Sequence, residues 1–154
     1  MKAVEYYLSR GINRVILGSA AVKNQQLVID AVKEYGERIV VGIDAKDGMV
    51  RAEGWIDNSE INYIELAKRM EDVGVKTVVF TDIDQDGTLA GPNLKQLNDL
   101  THEVSCNIIA SGGVAVLKDI INLVELDVYG AICGKAIYTG SLDLKQAIEV
   151  TNKI

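Results

Sequence analysis

One histidine, one proline and two cysteines are all that 154 residues hold of those types. His102 with two cysteines, at no ligand spacing, argues against a metal centre. Cys106 and Cys133 fall in or beside apolar runs, as small buried hydrophobes in a reducing compartment do. No apolar run approaches the roughly 18 residues of a membrane helix, and the first residues lack a charged-then-apolar signal pattern. The chain is therefore expected in the cytoplasm, with no membrane partner. Basic residues are also scarce: 16 Lys and Arg against 22 Asp and Glu give a net charge of −6. That balance argues against a nucleic-acid partner, which needs clustered Lys and Arg. It leaves room for a local basic pocket that takes a phosphorylated metabolite. A Gly-x-Ser-x-Gly elbow, a Cys–His pair, a dinucleotide fingerprint and a Walker loop are all missing. Proton-transfer chemistry on a phosphorylated metabolite is what remains.

What the chain does hold is an ordinary globular balance, 48% hydrophobic and 25% charged, long enough for one domain with a sizeable core. Apolar runs at 14–17, 38–43, 77–81, 107–110 and 129–133 predict five strands. The β-branched run at 38–43 has the near-continuous apolarity of a parallel strand covered on both faces. Helical spacing marks residues 2–10, a segment capped by Asn24 and stopped by Gly36, residues 59–73, a segment opened by Pro92 with Leu94, Leu97, Leu100 and Val104 as its stripe, a segment through Ile120, Ile121 and Val124, and residues 143–151. Between residues 44 and 58 the turn signal Asp47-Gly48 and the single tryptophan, Trp55, predict a small hairpin over a strand end. Strand–loop–helix alternation implies crossover connections, hence a parallel sheet with helices outside. Doubly wound and barrel architectures share this grammar, and periodicity does not separate them.

Two short stretches, residues 15–21 (Val-Ile-Leu-Gly-Ser-Ala-Ala) and 131–137 (Ala-Ile-Cys-Gly-Lys-Ala-Ile), repeat one pattern: an apolar run ending in Gly, a polar residue and a small one. Such self-similarity suggests repeated units. Ligands of parallel α/β proteins bind at the carboxyl ends of the strands, and the residues there are few. Ser111-Gly112-Gly113 and Gly134-Lys135, on neighbouring strand ends, form a candidate phosphate cradle. Their glycines admit close backbone approach, and the helix that follows can aim N–H groups at an anion. Gly18-Ser19 is the counterpart cradle implied by the repeat, and two facing cradles suit a substrate with a phosphate at each end. Asp44 stands at the rim of a buried strand, where desolvation can raise a carboxyl pKa and fit it for general acid or base work. Thr81 and Asp82 hold the same place on the next strand, and Asp86 lies in the loop beyond. Asp47, Asp57 and Asp84 are read as turn or cap residues.

The motifs Val-Ile-Leu-Gly-Ser-Ala-Ala-Val (15–22), Val-Gly-Ile-Asp-Ala-Lys-Asp-Gly (41–48), Gly54-Trp55, Thr-Asp-Ile-Asp-Gln-Asp-Gly-Thr-Leu-Ala-Gly-Pro-Asn (81–93), Ala-Ser-Gly-Gly-Val (110–114) and Cys-Gly-Lys-Ala-Ile-Tyr-Thr-Gly (133–140) together resemble one enzyme family. These are the histidine-biosynthetic isomerases that act on phosphoribosylformimino-5-aminoimidazole carboxamide ribotide. The sister cyclases of that pathway share several of these loops, but Gly54-Trp55 and the Gly-Lys-Ala-Ile-Tyr run look more like the isomerase. The resemblance implies an eight-stranded (β/α) TIM-type barrel and an Amadori rearrangement, aminoaldose to aminoketose, without cofactor or metal. It implies Asp44 as the general acid that opens the ribose ring, Thr81 as a supporting hydroxyl and Asp86 as the acid of the next loop. It makes Ser111, Gly112, Gly113, Gly134 and Lys135 one phosphate site, Gly18 and Ser19 half of the other, and Trp55 a residue closing over the substrate.

A barrel of this class normally takes about 250 residues. Residues 1–154 are therefore expected to be a single incomplete barrel domain, about strands four to eight, lacking the N-terminal strands and the family's first-strand catalytic base. The expected consequences are weak or absent turnover and unpaired sheet edges, closed by self-association or by a complementing N-terminal fragment. The alternatives are a half-barrel that binds a phosphosugar without reacting it, a non-catalytic fragment, or the sister cyclase.

Overall fold

Parallel pairing in chain order is the organising fact of the computed structural model, which describes residues 1–52 and 57–152. Strand β1 (Val15–Leu17) pairs with β2 (Ile39–Lys46), β2 with β5 (Thr77–Asp82), β5 with β6 (Asn107–Ser111) and β6 with β7 (Gly130–Ala131), all parallel. Helices fill the crossovers: α1 (Lys2–Ser9) leads into β1, α2 (Ser19–Lys23) and α3 (Gln25–Tyr35) join β1 to β2, α4 (Tyr63–Asp72) precedes β5, and α5 (Leu94–Glu103) and α6 (Leu117–Glu125) follow β5 and β6. The short α7 (Lys135–Thr139) and α8 (Leu144–Thr151) come after β7. A doubly wound sheet reverses its strand order at a switch point. These five parallel strands never reverse their order, which sets them apart from a doubly wound sheet. Among the described residues the sheet stays open, since β1 and β7 each have a partner on one side alone.

Packing follows the period-2 alternation of each strand. Val41, Ile43 and Ala45 of β2, Val78 and Phe80 of β5, and Ile108 and Ala110 of β6 point outward into one core with Val28, Leu66, Ala67, Met70, Leu97, Leu100 and Leu123 of the helices. Phe80 is 1% exposed and its ring lies 5.1 Å from that of Tyr63. The buried Tyr63 hydroxyl donates to Asp99 Oδ2 at 3.4 Å, and burial with the Asp99 charge pushes the phenol up to about 12. A smaller cluster, Val4, Leu8, Ala31 and Ile39, seats α1 against the start of β2. The Arg38 guanidinium fixes the loop after α1 by donating to the carbonyls of Leu8, Ile12 and Asn13. Cys106 is buried, which together with the Glu71 charge pushes its thiol up to about 11; Cys133 is half-buried and its thiol is raised by burial alone. Glu71 accepts from both the hydroxyl and the amide of Ser105 at 2.6 Å, and these bonds, the hydroxyl first, hold its carboxyl below the usual range.

Helix starts agree with their caps: the Asn24, Asn62, Asn93 and Asp143 side chains accept from the amides of Leu27, Ile64, Gln96 and Gln146. Several boundaries differ from expectation. Strand β2 runs three residues past Ile43 because Asp47 and Gly48, both at positive φ (51° and 76°), turn the chain back into β3 (Met49–Ala52), as a two-residue hairpin requires. Residues expected to open a helix at 59 instead form β4 (Asp57–Asn62), antiparallel to β3, so α4 waits for the Asn62 cap. Pro92 lies ahead of the Asn93 cap rather than in the first turn of α5. The expected fifth strand, 129–133, keeps its ladder pairing over Gly130–Ala131. No helix among the described residues is long and apolar enough to cross a membrane.

Candidate functional site

Register places the polar rim. Asp44 pairs with Thr81 and Thr81 with Ser111, so these three side chains share one face at one level of three adjacent strands. That face is opposite to the helix-packed core, because Val41, Ile43, Val78, Phe80 and Ala110 alternate with them. Asp44 and Ser111 are thus two strand spacings apart, about 10 Å between backbones. Thr81 is 8% exposed, while Asp44 and Ser111 are half-buried. Below the row lie Gly42, Val79 and Ile109. Ile16 on β1 and Ile132 after β7 stand on the same face at the two sides of the sheet, 55% and 46% exposed.

Beyond β5 the loop 83–93 is stapled rather than loose. Asp82, 6% exposed, accepts from the Asp84 amide at 3.0 Å and from Asn93 Nδ2 at 2.6 Å. Asp82 therefore points away from the rim that Thr81 faces, and its task is to tie the loop's two ends. Thr88 donates to the Gln85 carbonyl and accepts from the Ala90 amide, and the exposed Lys46–Asp84 pair, 2.9 Å, ties the loop to the β2 hairpin. Asp47 occupies the hairpin turn as expected of a turn residue.

Asp86, Ser111, Gly112, Gly113, Gly134 and Lys135 come together around one cleft of about 100 Å³, completed by Gly87, Leu89, Val114 and Ile132. Lys135 Nζ crosses it and donates to the Gly87 carbonyl at 2.7 Å. The glycines differ in why they are there. At Gly113, φ +81°, a Cβ would lie 2.2 Å from the Gly91 carbonyl oxygen, and at Gly112, φ +92°, 2.9 Å from that of Asp82. Both glycines let the loop pack on the strand end. A Cβ on Gly134 would meet nothing within 4 Å, so that side of the cleft is open. Two amides just ahead of α6 are engaged within the chain. The Ala115 and Val116 amides already donate to Asp119 Oδ2 at 2.9 and 3.0 Å. A larger cavity of about 470 Å³, lined by His102, Cys106, Asn107 and Tyr129 among others, opens at the opposite ends of the strands, away from the rim.

The sequence repeat is also a repeat of backbone. Gly18 has φ −94° and ψ −97°, Gly134 has φ −96° and ψ −95°, and each opens a five-residue helix. Ala21 N donates to Gly18 O at 2.9 Å and Ile137 N to Gly134 O at 3.1 Å, the same turn bond. Gly18 lies beside Gly42, whose Cβ would come 3.9 Å from its Cα, one pleat below Asp44. Trp55 and Gly54 lie outside the described residues. One rim residue escaped the sequence reading. Arg51 of β3 is directly opposite Asp44 and therefore shares its face. The signal was present, since a two-residue turn at 47–48 pairs residue 44 with residue 51.

The model of the family described as "Histidine biosynthesis protein" matches residues 1–143. Among curated relatives, the 1-(5-phosphoribosyl)-5-((5-phosphoribosylamino)methylideneamino) imidazole-4-carboxamide isomerase of Clostridium botulinum (strain Hall) is 52% identical over 153 residues, 99% of this chain and 63% of that protein. The proteins of the same name from Clostridium novyi and Clostridium kluyveri are 49% and 53% identical, over 99% and 97% of this chain and 64% and 63% of theirs. The chain thus spans a little under two thirds of the length of these relatives.

Proposed function

Because the chain belongs to the histidine biosynthesis protein family, we propose that it serves the cofactor-free Amadori rearrangement of a bis-phosphorylated ribotide, aminoaldose to aminoketose, in the cytoplasm. The observation that carries this is the single row Asp44–Thr81–Ser111, lying on one face between the Gly18 turn and the Gly134 cleft. Asp44 donates a proton to the ribose ring oxygen, the ring C1–O bond breaks, and the substrate nitrogen's lone pair forms the C=N bond. A base then takes the C2 proton to give the enaminol, and protonation at C1 with loss of the C2 hydroxyl proton gives the aminoketose. Thr81 supports the acid, Asp86 lines the loop side, and Trp55 closes over the substrate. Ser111, Gly112, Gly113, Gly134 and Lys135 hold one phosphate, and Gly18 with Ser19 holds the other.

Turnover of the aminoaldose ribotide is the test, run on the chain alone and on the chain mixed with a polypeptide that supplies further barrel strands. Formation of the aminoketose is expected. Calorimetric binding of the ribotide without product would favour a phosphosugar-binding half-barrel instead. Turnover of a different phosphoribosyl substrate, and not of the aminoaldose, would favour the sister cyclase. The single domain formed by residues 1–154 is part of a TIM-type barrel, about strands four to eight, in this proposal. Support comes from the exposed Ile16 and Ile132 beside the one-sided β1 and β7, edges of the kind that recruit another strand. Light scattering is expected to show self-association of the chain; a well-folded monomer at high concentration would remove that part.

A further inference from the structure

We infer that Arg51 supplies the cation of the Gly18–Ser19 turn, a positioning role for one phosphate that deepens, and rests on, the two-cradle reading above. The two turns have the same backbone, but they differ in the residue after the glycine: Lys135 in one, Ser19 in the other. Lys135 brings an ammonium to its own cleft. The Gly18 turn carries no such charge at the matching position.

The hairpin brings one there. β1 occupies the edge of β2 at Ile39–Val41, and β3 occupies the same edge at Asp44–Lys46, because β5 holds the other edge throughout 41–45. β3 therefore continues the line where β1 stops, and α2 contacts it. Gly18 follows the Leu17–Val41 pair and lies beside Gly42, and Arg51 is level with Asp44 two residues on, about 7 Å further along the strand axis. Strand alternation puts Arg51 on the face that Gly18, Gly42 and Asp44 share. The side chain is half-buried. Lys46, diagonal to Arg51 on this face, has its ammonium engaged by Asp84 at 2.9 Å, which leaves Arg51 as the guanidinium beside the turn. Its planar fork of five donors can face Asp44 and a phosphate together, which a lysine cannot do as well.

The test is a titration of the isotope-labelled chain with inorganic phosphate, followed at the backbone amides of both turns. In the parent, Gly18 and Ser19 respond as one set and Gly112 and Gly134 as another. Arg51→Met is expected to weaken the first set roughly tenfold, the effect of one charge-assisted contact, and to leave the second unchanged. Arg51→Lys is expected to recover part of the loss. Superimposable spectra before phosphate show that each variant is folded. Equal phosphate affinity of parent and Arg51→Met at Gly18 overturns the inference and leaves the two-cradle reading standing. A parent that responds at neither turn overturns both.

Discussion

Asp44→Asn is expected to lower turnover of the aminoaldose ribotide by about 10²–10⁴-fold, the usual worth of a positioned general acid, in whichever assembly shows turnover. The substitution keeps the size and planarity of the side chain and removes the proton it would donate. Its neighbours are set by the ladder, not by the side chain: Thr81 on one side and Arg51 on the other are registered through backbone bonds. The rim should therefore stay in place. The phosphates are assigned to the Gly18 and Gly134 turns, which the variant does not touch, so kcat is expected to fall with KM nearly unmoved. Steady-state kinetics on parent and variant measure this split. Undiminished kcat removes Asp44 from the mechanism. A raised KM at constant kcat makes it a binding residue instead.

Much of this site was legible before any coordinates, for a physical reason. Parallel strands covered by helices read as apolar runs, and their ends are marked by the first polar or glycine residue, so Gly18, Asp44, Thr81, Ser111 and Gly134 announce a shared rim. The caps Asn24 and Asp143 were legible in the same way, since a side-chain acceptor ahead of a helical stripe is a local signal. What periodicity missed depends on pairing between distant segments. β4 carries Ile61 at a spacing that also suits a helix, and its extended form comes from its ladder with β3. α7 is too short for a stripe to show. The working difference between Gly113 and Gly134 is likewise invisible in sequence, where both are glycines at strand ends. It arises from the loop 83–93, which covers one and leaves the other open.

That difference sets the second large effect. Gly113→Ala is expected to destabilise the fold by about 2 kcal/mol or more, from a left-handed φ of +81° combined with steric overlap. The added methyl would meet the Gly91 carbonyl oxygen at 2.2 Å and its carbon at 2.8 Å, both backbone. Gly91 cannot simply withdraw, because its amide donates to the Gly113 carbonyl at 2.9 Å. The loop behind it is anchored by the 2.6 Å bond from Asn93 to buried Asp82. Relief therefore comes from unseating the loop, which carries Asp86 and the Gly87 carbonyl that receives Lys135. A melting temperature lower by roughly 4–8 °C is the expected reading for a chain of this length. Gly134→Ala is the contrasting variant, since its methyl enters open space. It should melt like the parent yet bind ribose 5-phosphate more weakly, because the methyl projects where the anion is assigned. If Gly113→Ala melts with the parent, the loop yields more easily than its bonds imply. If Gly134→Ala binds ribose 5-phosphate unchanged, the open side of the cleft is not where the phosphate sits. Packing and the proposed phosphate contact, both assigned to this pair of strand ends, are separated by these two methyl groups.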